Sequence, residues 1–168
     1  LGRCIQSNFI DSIDLIKLPK EKLCISNKKA LGAAIKQHRP EIVINAAAYT
    51  NVDGAETEKN QANLVNNLSL NFLVELSNSY NFTLIHFSTD YVFDGKTKHP
   101  YLESSEMKPL NYYGLSKSLG DQYIIDNCKR YYLFRVSWLY SPFGKNFVTR
   151  MMSLATRQSL EIVDDQYG

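Results

Sequence analysis

Short apolar runs alternate along this chain with longer stretches in which apolar residues recur at helical spacing. The short runs predict β-strands at residues 13–18, 41–45, 82–87, 132–136 and 160–163. The longer stretches predict helices at residues 28–38, 60–80, 113–128 and 146–157. Strands that alternate with helices are typical of parallel sheets with crossover helices, so we expect an α/β fold.

Three of these segments carry further expectations. The strand at 41–45 is apolar over its central residues, which predicts burial on both faces. The helix at 60–80 has an apolar residue at every fourth position, which predicts a stripe that faces the core. Its members are Leu64, Leu68, Phe72 and Leu76. The stretch from Gly95 to Asn111 is too long for a simple connector, so we expect it to cover or flank a site.

Composition and charge exclude several classes of protein. The chain has 168 residues, of which 44% are hydrophobic, enough for one buried core. Its 19 basic and 17 acidic residues are spread along the sequence, so nucleic-acid binding is not favoured. No apolar run approaches the ~18 residues that span a bilayer, and the first residues of the sequence show neither a charged n-region nor a cleavage site. We therefore expect a soluble, cytoplasmic protein with no membrane partner.

The cysteines and histidines do not form a metal-binding pattern. They are Cys4, Cys24, Cys128, His38, His86 and His99. The cysteines are odd in number and widely spaced, and the histidines are isolated, so we predict neither a disulfide framework nor a metal site.

Tyr113 and Lys117 are the strongest candidates for chemistry. In a helix, positions i and i+4 share one face, so the lysine charge can approach the phenol. A phenol normally titrates near ~10, and a cation beside it would lower that pKa towards working pH and make it an acid catalyst. The alternative is an ordinary solvated pair on a helix surface.

Ser88, Thr89 and Asp90 directly follow the predicted strand at 82–87. They therefore lie at the carboxyl edge of the sheet, where ligands bind in open α/β folds.

Five segments of the chain, in their order and spacing, form a specific pattern. They are residues 43–53 (VINAAAYTNVD), 88–95 (STDYVFDG), 113–117 (YGLSK), 135–140 (RVSWLY) and 165–168 (DQYG). The pattern resembles the extended short-chain dehydrogenase/reductase superfamily and, within it, the dTDP-4-dehydrorhamnose reductase family. The resemblance implies a doubly wound, Rossmann-like parallel sheet that binds NAD(P). It also implies NADPH-dependent reduction of the C4 ketone of dTDP-4-dehydro-L-rhamnose, in the synthesis of cell-surface polysaccharide.

The resemblance also implies roles for individual residues. Tyr113 would be the general acid, Lys117 would bind the nicotinamide ribose and act on Tyr113, and Thr89 would donate a hydrogen bond to the ketone oxygen. The cofactor would be lined by Ala46, Ala47, Ala48, Ser88 and Tyr113, with Gly2 as the last glycine of the phosphate-binding turn.

On the substrate side, the resemblance points Thr50, Tyr91 and Trp138 at the sugar and places Asn146 and Phe147 near its nucleotide. Each has an ordinary structural alternative. Trp138 could be a core aromatic residue, Thr50 and Tyr91 could be surface-loop residues, and Asn146 could simply cap a helix.

Reduction is favoured over the other reactions of this superfamily. Dehydratases need a second carboxylate directly after the acidic residue that follows the threonine, and here Asp90 is followed by Tyr91. A nucleotide-sugar epimerase of the same superfamily and a non-catalytic, cofactor-binding regulatory subunit both stay open.

The chain begins at the tail of the glycine-rich turn, so we expect a fragment. Residues 1–168 would form an incomplete NAD(P)-binding domain that lacks its first strand and contains only the start of the substrate region, from about residue 138. Such a fragment should be inactive alone. Lys17 and Lys20 near the end of the strand at 13–18 favour NADPH, with ordinary surface charges as the alternative and NADH still open. The resemblance allows a homodimer bridged through a metal, but no ligands for it map onto this segment.

Overall fold

A computed structural model describes residues 1–8, 13–144, 146–155 and 159. These residues fall into two compact units. The central unit is Leu18–Arg135, and the terminal unit combines the described parts of Leu1–Lys17 and Val136–Gly168.

The described helices and strands follow one another in an α/β order. The α-helices are α1 (Gly2–Asn8), α2 (Lys28–His38), α3 (Val52–Thr57), α4 (Lys59–Asn63), α5 (Ser69–Tyr80), α6 (Tyr112–Asn127) and α7 (Phe147–Leu154). A π-helix (Leu64–Leu68) joins α4 to α5, and a 3₁₀ turn covers Asp90–Val92. The strands are β1 (Ile42–Asn45), β2 (Thr83–Thr89) and β3 (Tyr131–Val136).

β2 lies in the middle of the described sheet, with β1 on one side and β3 on the other. β1 and β2 run parallel, with Ile42 opposite Thr83 and Asn45 opposite His86. The expected α/β architecture is therefore confirmed. Since parallel neighbours end at the same edge, the residues that follow β1 lie beside the end of β2.

The helices begin and end where their capping residues predict. Asn27 accepts a hydrogen bond from the backbone N–H of Ala30, and Arg39 closes α2 in the left-handed conformation at φ 44°. Asn111 accepts from Gly114 N at 2.8 Å and so fixes the start of α6. The helices expected at 28–38, 113–128 and 146–157 are confirmed, the last one over Phe147–Leu154.

The main core of the central unit lies between the sheet and helices α2, α5 and α6. Its buried members are Leu31, Ile35, Leu70, Leu73, Val74, Phe82, Leu84, Ile124 and Cys128. Burying each large aliphatic or aromatic side chain contributes roughly 1.5–3 kcal/mol, so this cluster is the main source of stability for the unit that carries the candidate site.

The predicted stripe on the helix at 60–80 is wrong at Leu68 and confirmed in part, since Phe72 and Leu76 pack against the main core. The segment is helical from Lys59 to Tyr80. Leu68 is 39% exposed, and Leu64, Phe72 and Leu76 are only partly buried. The buried positions are Ala62, Asn66, Ser69, Leu70, Leu73, Val74 and Ser77. The π-helix has wider turns than an α-helix, so it shifts the buried face relative to a continuous four-residue repeat.

Two strand expectations are also wrong. Residues 13–18 do not form a strand, because no strand among the described residues lies beside them to supply hydrogen bonds. The strand at 41–45 is not buried throughout, since Ile42 is 54% exposed on β1, which has a described neighbour on one side only. The strands at 82–87 and 132–136 are confirmed as β2 and β3. The strand expected at 160–163 and the motif at 165–168 lie outside the described residues.

Candidate active site

The end of β2 and the first two turns of α6 bring the central candidates together. Ser88 and Thr89 are the last two residues of β2, and both are buried. Tyr113 and Lys117 follow one another along one face of α6, with 8% and 1% of their surfaces exposed. The side chain of Thr89 is close enough to Tyr113 to influence its pKa. The described structure thus places Ser88, Thr89, Tyr113 and Lys117 in one cluster.

Two glycines allow α6 to approach this cluster closely. A Cβ on Gly114 would collide with the carbonyl oxygen of Tyr91, and one on Gly120 would collide with that of Asn66. The helix therefore packs directly against the 3₁₀ turn at one end and the π-helix further along. Larger residues at these positions would push Tyr113 and Lys117 away from β2.

The amine of Lys117 makes its hydrogen bonds to strand β2 and is shielded from solvent. Its Nζ donates to the carbonyl oxygen of Phe87 at 2.7 Å and lies 3.1 Å from His86 Nε2. Burial lowers the pKa of Lys117 to about 8, because removing the amine from water disfavours its charged form, while the negative charge of Asp121 acts in the opposite direction. Lys117 is therefore a buried amine whose pKa lies much closer to neutral pH than that of an exposed lysine.

Tyr113 behaves differently from the sequence expectation. Burial raises the pKa of the Tyr113 phenol, the neighbouring Thr89 hydroxyl lowers it, and Asp90 and Asp121 raise it further. The expected lowering of this pKa by Lys117 is therefore wrong for this structure, where burial has the largest effect and Lys117 is not among the groups that shift the pKa. The ring of Tyr91 packs edge-on against Tyr113 at a centroid distance of 5.7 Å. Tyr113 thus keeps its proton at neutral pH beneath a second aromatic ring.

A buried acidic residue lies one turn beyond Lys117. The hydroxyl of Ser88 donates to Asp121 Oδ2, and Arg135 Nε lies 3.8 Å from the same oxygen. Burial raises the pKa of the Asp121 carboxyl to about 6, and Ser88, Lys117 and Arg135 each lower it. Positions 113, 117 and 121 therefore make a buried polar row along α6, facing the end of β2.

The residues after β1 form an exposed surface of small side chains beside this cluster. Ala46, Ala47 and Ala48 are all exposed, and Thr50 further along the loop is exposed as well. Asn45 accepts a hydrogen bond from Ala47 N at 3.1 Å, which holds the loop in place. Small side chains at the end of a parallel strand let a dinucleotide approach the backbone, so these alanines fit a nicotinamide cofactor. Lys117 Nζ bonds inside the protein, and a contact between it and the ribose stays a prediction.

Gly2, Trp138 and Asn146 belong to the terminal unit, and their predicted ligand contacts stay predictions. Gly2 is the first residue of α1. Trp138 is 56% exposed and packs edge-on against Phe147 at 5.8 Å, so the core alternative for Trp138 is wrong. Its φ of 52° is a strained conformation for a large side chain, of the kind found at functional sites.

Asn146 has the structural role that the helix-start alternative expected. Its Oδ1 accepts from Thr149 N at 3.1 Å, and the Thr149 hydroxyl accepts from Asn146 N at 3.0 Å, which is a capping box. Its Nδ2 donates to Ser141 O at 2.8 Å.

Four of the buried polar residues near the cluster were given no role at the site by the sequence patterns. They are Asn45, Asn66, His86 and Asp121. Asn66 is held in the π-helix, where it accepts from Tyr49 N and donates to Tyr49 O and Ser116 Oγ at 2.9–3.0 Å. Sequence signals for two of them existed: His86 interrupts an apolar strand, and Asp121 lies four residues after Lys117.

Two further kinds of feature are absent from the described residues. No described helix has both the length and the apolar character needed to cross a bilayer. Within the same residues, no group of three or more histidine, cysteine, aspartate or glutamate side chains could hold a metal ion.

Comparison with known proteins gives consistent matches. The family model described as RmlD substrate binding domain matches residues 1–168. The chain is 40% identical over 144 residues to the dTDP-4-dehydrorhamnose reductase of Salmonella typhimurium, covering 85% of this chain and 48% of the relative. It is 37% identical over 171 residues to the reductase of that name from Aggregatibacter actinomycetemcomitans, covering 100% of this chain and 58% of the relative.

Among solved structures, the dTDP-4-dehydrorhamnose reductase of Bacillus anthracis in complex with NADP is similar to this chain. The TM-score is 0.94 at 34% identity, with 98% of this chain and 60% of that one covered. This similarity confirms the Rossmann-like fold class. The chain spans about half the length of the curated relatives it matches.

Proposed function

Since the chain belongs to the RmlD substrate binding domain family, whose matched relatives include dTDP-4-dehydrorhamnose reductases, we propose that the full-length protein reduces the C4 ketone of a dTDP-4-dehydro sugar with NADPH. The single observation that carries this proposal is the cluster of Thr89, Tyr113 and Lys117 at the carboxyl end of β2. The sugar we propose is dTDP-4-dehydro-L-rhamnose, which makes dTDP-L-rhamnose the product.

The chemistry of ketone reduction suits these three side chains. As the carbonyl carbon is reduced, negative charge develops on its oxygen, and hydrogen-bond donors aimed at that oxygen stabilise the charge. Thr89 supplies one donor. Tyr113 supplies the second donor and then the proton, and its raised pKa keeps that proton on the phenol until the oxygen becomes basic. Lys117, one helical turn after Tyr113, would stabilise the negative charge that remains on the phenol after the proton has been transferred.

We propose that the cofactor lies over Ala46, Ala47, Ala48 and Ser88, with Lys117 at its ribose and Gly2 in its phosphate-binding turn. A bound reduced nicotinamide supplies the hydride. NADPH is favoured over NADH by the exposed Lys17 and Lys20, which could attract an extra phosphate, and by the NADP found in the Bacillus anthracis relative. A measured preference for NADH would contradict this part.

For the substrate, we propose that Thr50 and Tyr91 contact the sugar, together with Trp138, and that Asn146 and Phe147 lie near the nucleotide. Tyr91 is 44% exposed while its ring rests on Tyr113, which suits a residue between solvent and the acid. The exposure and strained backbone of Trp138 support a ligand contact there. We further propose that the substrate region begins near residue 138, close to where the terminal unit resumes at Val136.

The cellular setting follows from the proposed reaction. We propose that the protein acts in the cytoplasm, because that is where cells hold nucleotide sugars and reduced nicotinamide cofactors. A homodimer is proposed from the family resemblance alone, and its test is the mass of the full-length protein in solution.

The test is NADPH oxidation by the full-length protein with a dTDP-4-keto-6-deoxy sugar. We expect stoichiometric oxidation and a reduced sugar, and loss of both in Tyr113→Phe. Interconversion of sugar epimers without net oxidation would favour the epimerase instead. Binding of NADPH with no turnover of any nucleotide sugar would favour a regulatory subunit.

A further inference from the structure

A buried row of polar groups runs from the loop after β1 to Lys117. The backbone N–H of Ala47 donates to Asn45 Oδ1 at 3.1 Å, and Asn45 Nδ2 lies 3.0 Å from His86 Nδ1. His86 Nε2 lies 3.1 Å from Lys117 Nζ. Asn45, His86 and Lys117 are 5%, 1% and 1% exposed, so water does not compete for these contacts.

The first bond of this row fixes the direction of the others. An amide oxygen accepts and an amide nitrogen donates, so Asn45 must turn its oxygen to Ala47 N–H and its nitrogen to His86. His86 Nδ1 must then accept. Burial lowers the pKa of His86 well below its usual value, and the Lys117 charge adds to this, so the ring is neutral and carries its one proton on Nε2.

The Nε2 proton of His86 therefore points at Lys117. A donor that faces an ammonium is repulsive, since neither group has a lone pair to offer. A neutral amine accepts from Nε2–H and can still donate to the carbonyl oxygen of Phe87, 2.7 Å away. Every hydrogen bond of the row is made only when Lys117 is neutral.

We propose that Asn45 and His86 are positioning residues that hold the amine of Lys117 and favour its neutral form through this row, the Asn45–His86 relay. The proposal deepens the proposed function and rests on it, because it assigns both residues to the same reductase site. It also connects Lys117 to the backbone of Ala47, in the loop that we propose lies under the cofactor. A shift of Ala47 N–H would therefore change the charge of Lys117.

Other charged groups around Lys117 act in both directions. Asp121, on the same helix, favours the charged amine, and its Oδ1 lies 3.8 Å from His86 Nε2. Arg135 on β3 faces Asp121 and offsets part of its negative charge. Tyr113 lies one turn before Lys117 and is neutral at working pH. Among these groups, the effect of the Asn45–His86 relay on the charge of Lys117 can be reversed by replacing one group, the amide nitrogen of Asn45.

That exchange is Asn45→Asp, which replaces the amide nitrogen facing His86 by a second acceptor. His86 Nδ1 must then carry the ring proton, and Nε2 becomes an acceptor for the Lys117 ammonium. In ¹H–¹⁵N spectra of the full-length protein at neutral and mildly alkaline pH, we expect the proton on Nε2 in the unmodified protein and on Nδ1 in Asn45→Asp. A proton on Nδ1 in the unmodified protein, or no change in Asn45→Asp, overturns the proposal.

Kinetics gives a second readout, which a merely structural role would not move. The limb of the pH profile of kcat that belongs to Lys117 should shift upward by about one pH unit in Asn45→Asp. His86→Leu should lower kcat about tenfold with a smaller change in KM, because it removes both ring nitrogens. His86→Gln can accept from Asn45 and donate to Lys117, and should restore most of kcat.

The matched control is His38→Gln in the last turn of α2, which should leave kcat and the pH profile unchanged. Equal losses in His86→Leu and His86→Gln, at equal melting temperatures, count against the relay. The ring-nitrogen measurement needs no turnover, so the two failures are distinguishable. An unmodified protein that reduces no nucleotide-sugar ketone defeats the proposed function, while the position of the His86 proton still decides the relay.

Discussion

The contact between α6 and the π-helix depends on Gly120, three residues after Lys117, and the substitution Gly120→Ala tests it. The added Cβ would collide with the carbonyl oxygen of Asn66 and lie 2.5 Å from Leu70 Cδ1. The leucine methyl group can rotate, but a carbonyl oxygen within a helix cannot move without its neighbours. We therefore expect α6 to be displaced from the π-helix.

The magnitude follows from two opposing effects. Overpacking a well-filled interior costs about 1–3 kcal/mol, and a collision with backbone belongs at the upper end. Replacing glycine by alanine inside a helix stabilises by about 0.5–1 kcal/mol. The net expectation is a loss of about 2 kcal/mol in the free energy of unfolding, together with a fall in kcat, since α6 carries Tyr113 and Lys117.

Gly32→Ala in α2 is the matched control, because its Cβ would lie 3.9 Å from Leu76 Cδ2, an ordinary contact distance. This variant should gain about 0.5–1 kcal/mol from helix propensity alone. Urea unfolding of both full-length variants measures the difference. If Gly120→Ala is as stable as the unmodified protein, or if both variants shift in the same direction, the close packing of α6 is refuted.

Three further outcomes are expected. Tyr113→Phe should lower kcat/KM by about 10²–10⁴ while NADPH binding is kept, and Tyr80→Phe on the surface should change neither. Lys117 has a pKa of about 8 in the fold against an ordinary 10.5, so the folded protein holds this proton less tightly than the unfolded chain. Stability should therefore rise by roughly 3 kcal/mol as pH increases through that interval, and unfolding of Lys117→Met across the same pH range should lack this rise. Asn66→Ala should lower the unfolding free energy by about 1–3 kcal/mol, measured by urea titration, because it leaves partly buried backbone groups of Tyr49 unpaired.

Much of the secondary structure could be predicted because local signals agree with the fold. Asn27 and Asn111 mark helix starts that the structure reproduces, and the apolar run before Ser88 is β2. The cluster at Thr89, Tyr113 and Lys117 could also be anticipated, since two of its members are one helical turn apart and the third ends a strand.

The rest depends on contacts that sequence periodicity does not contain. The π-helix shifts the buried face from Leu68 to Asn66 and Leu70, and no composition rule identifies an extra residue per turn. The direction of the Tyr113 pKa was missed because burial of a phenol depends on what packs over it, here Tyr91. The partners of His86 come from β1 and α6, which only the folded chain brings together.

The π-helix at Leu64–Leu68 allows one continuous helical segment to pack against two different clusters. Upstream, Ala62 is packed beside Tyr113, while downstream Leu70 and Leu73 belong to the cluster with Leu84. Deleting one residue there would let the turn close as an ordinary α-helical turn, because the wider turn absorbs one extra residue while the helix on either side keeps its direction. A relative with a one-residue gap in this segment would therefore lack the wide turn against which Gly120 of α6 packs.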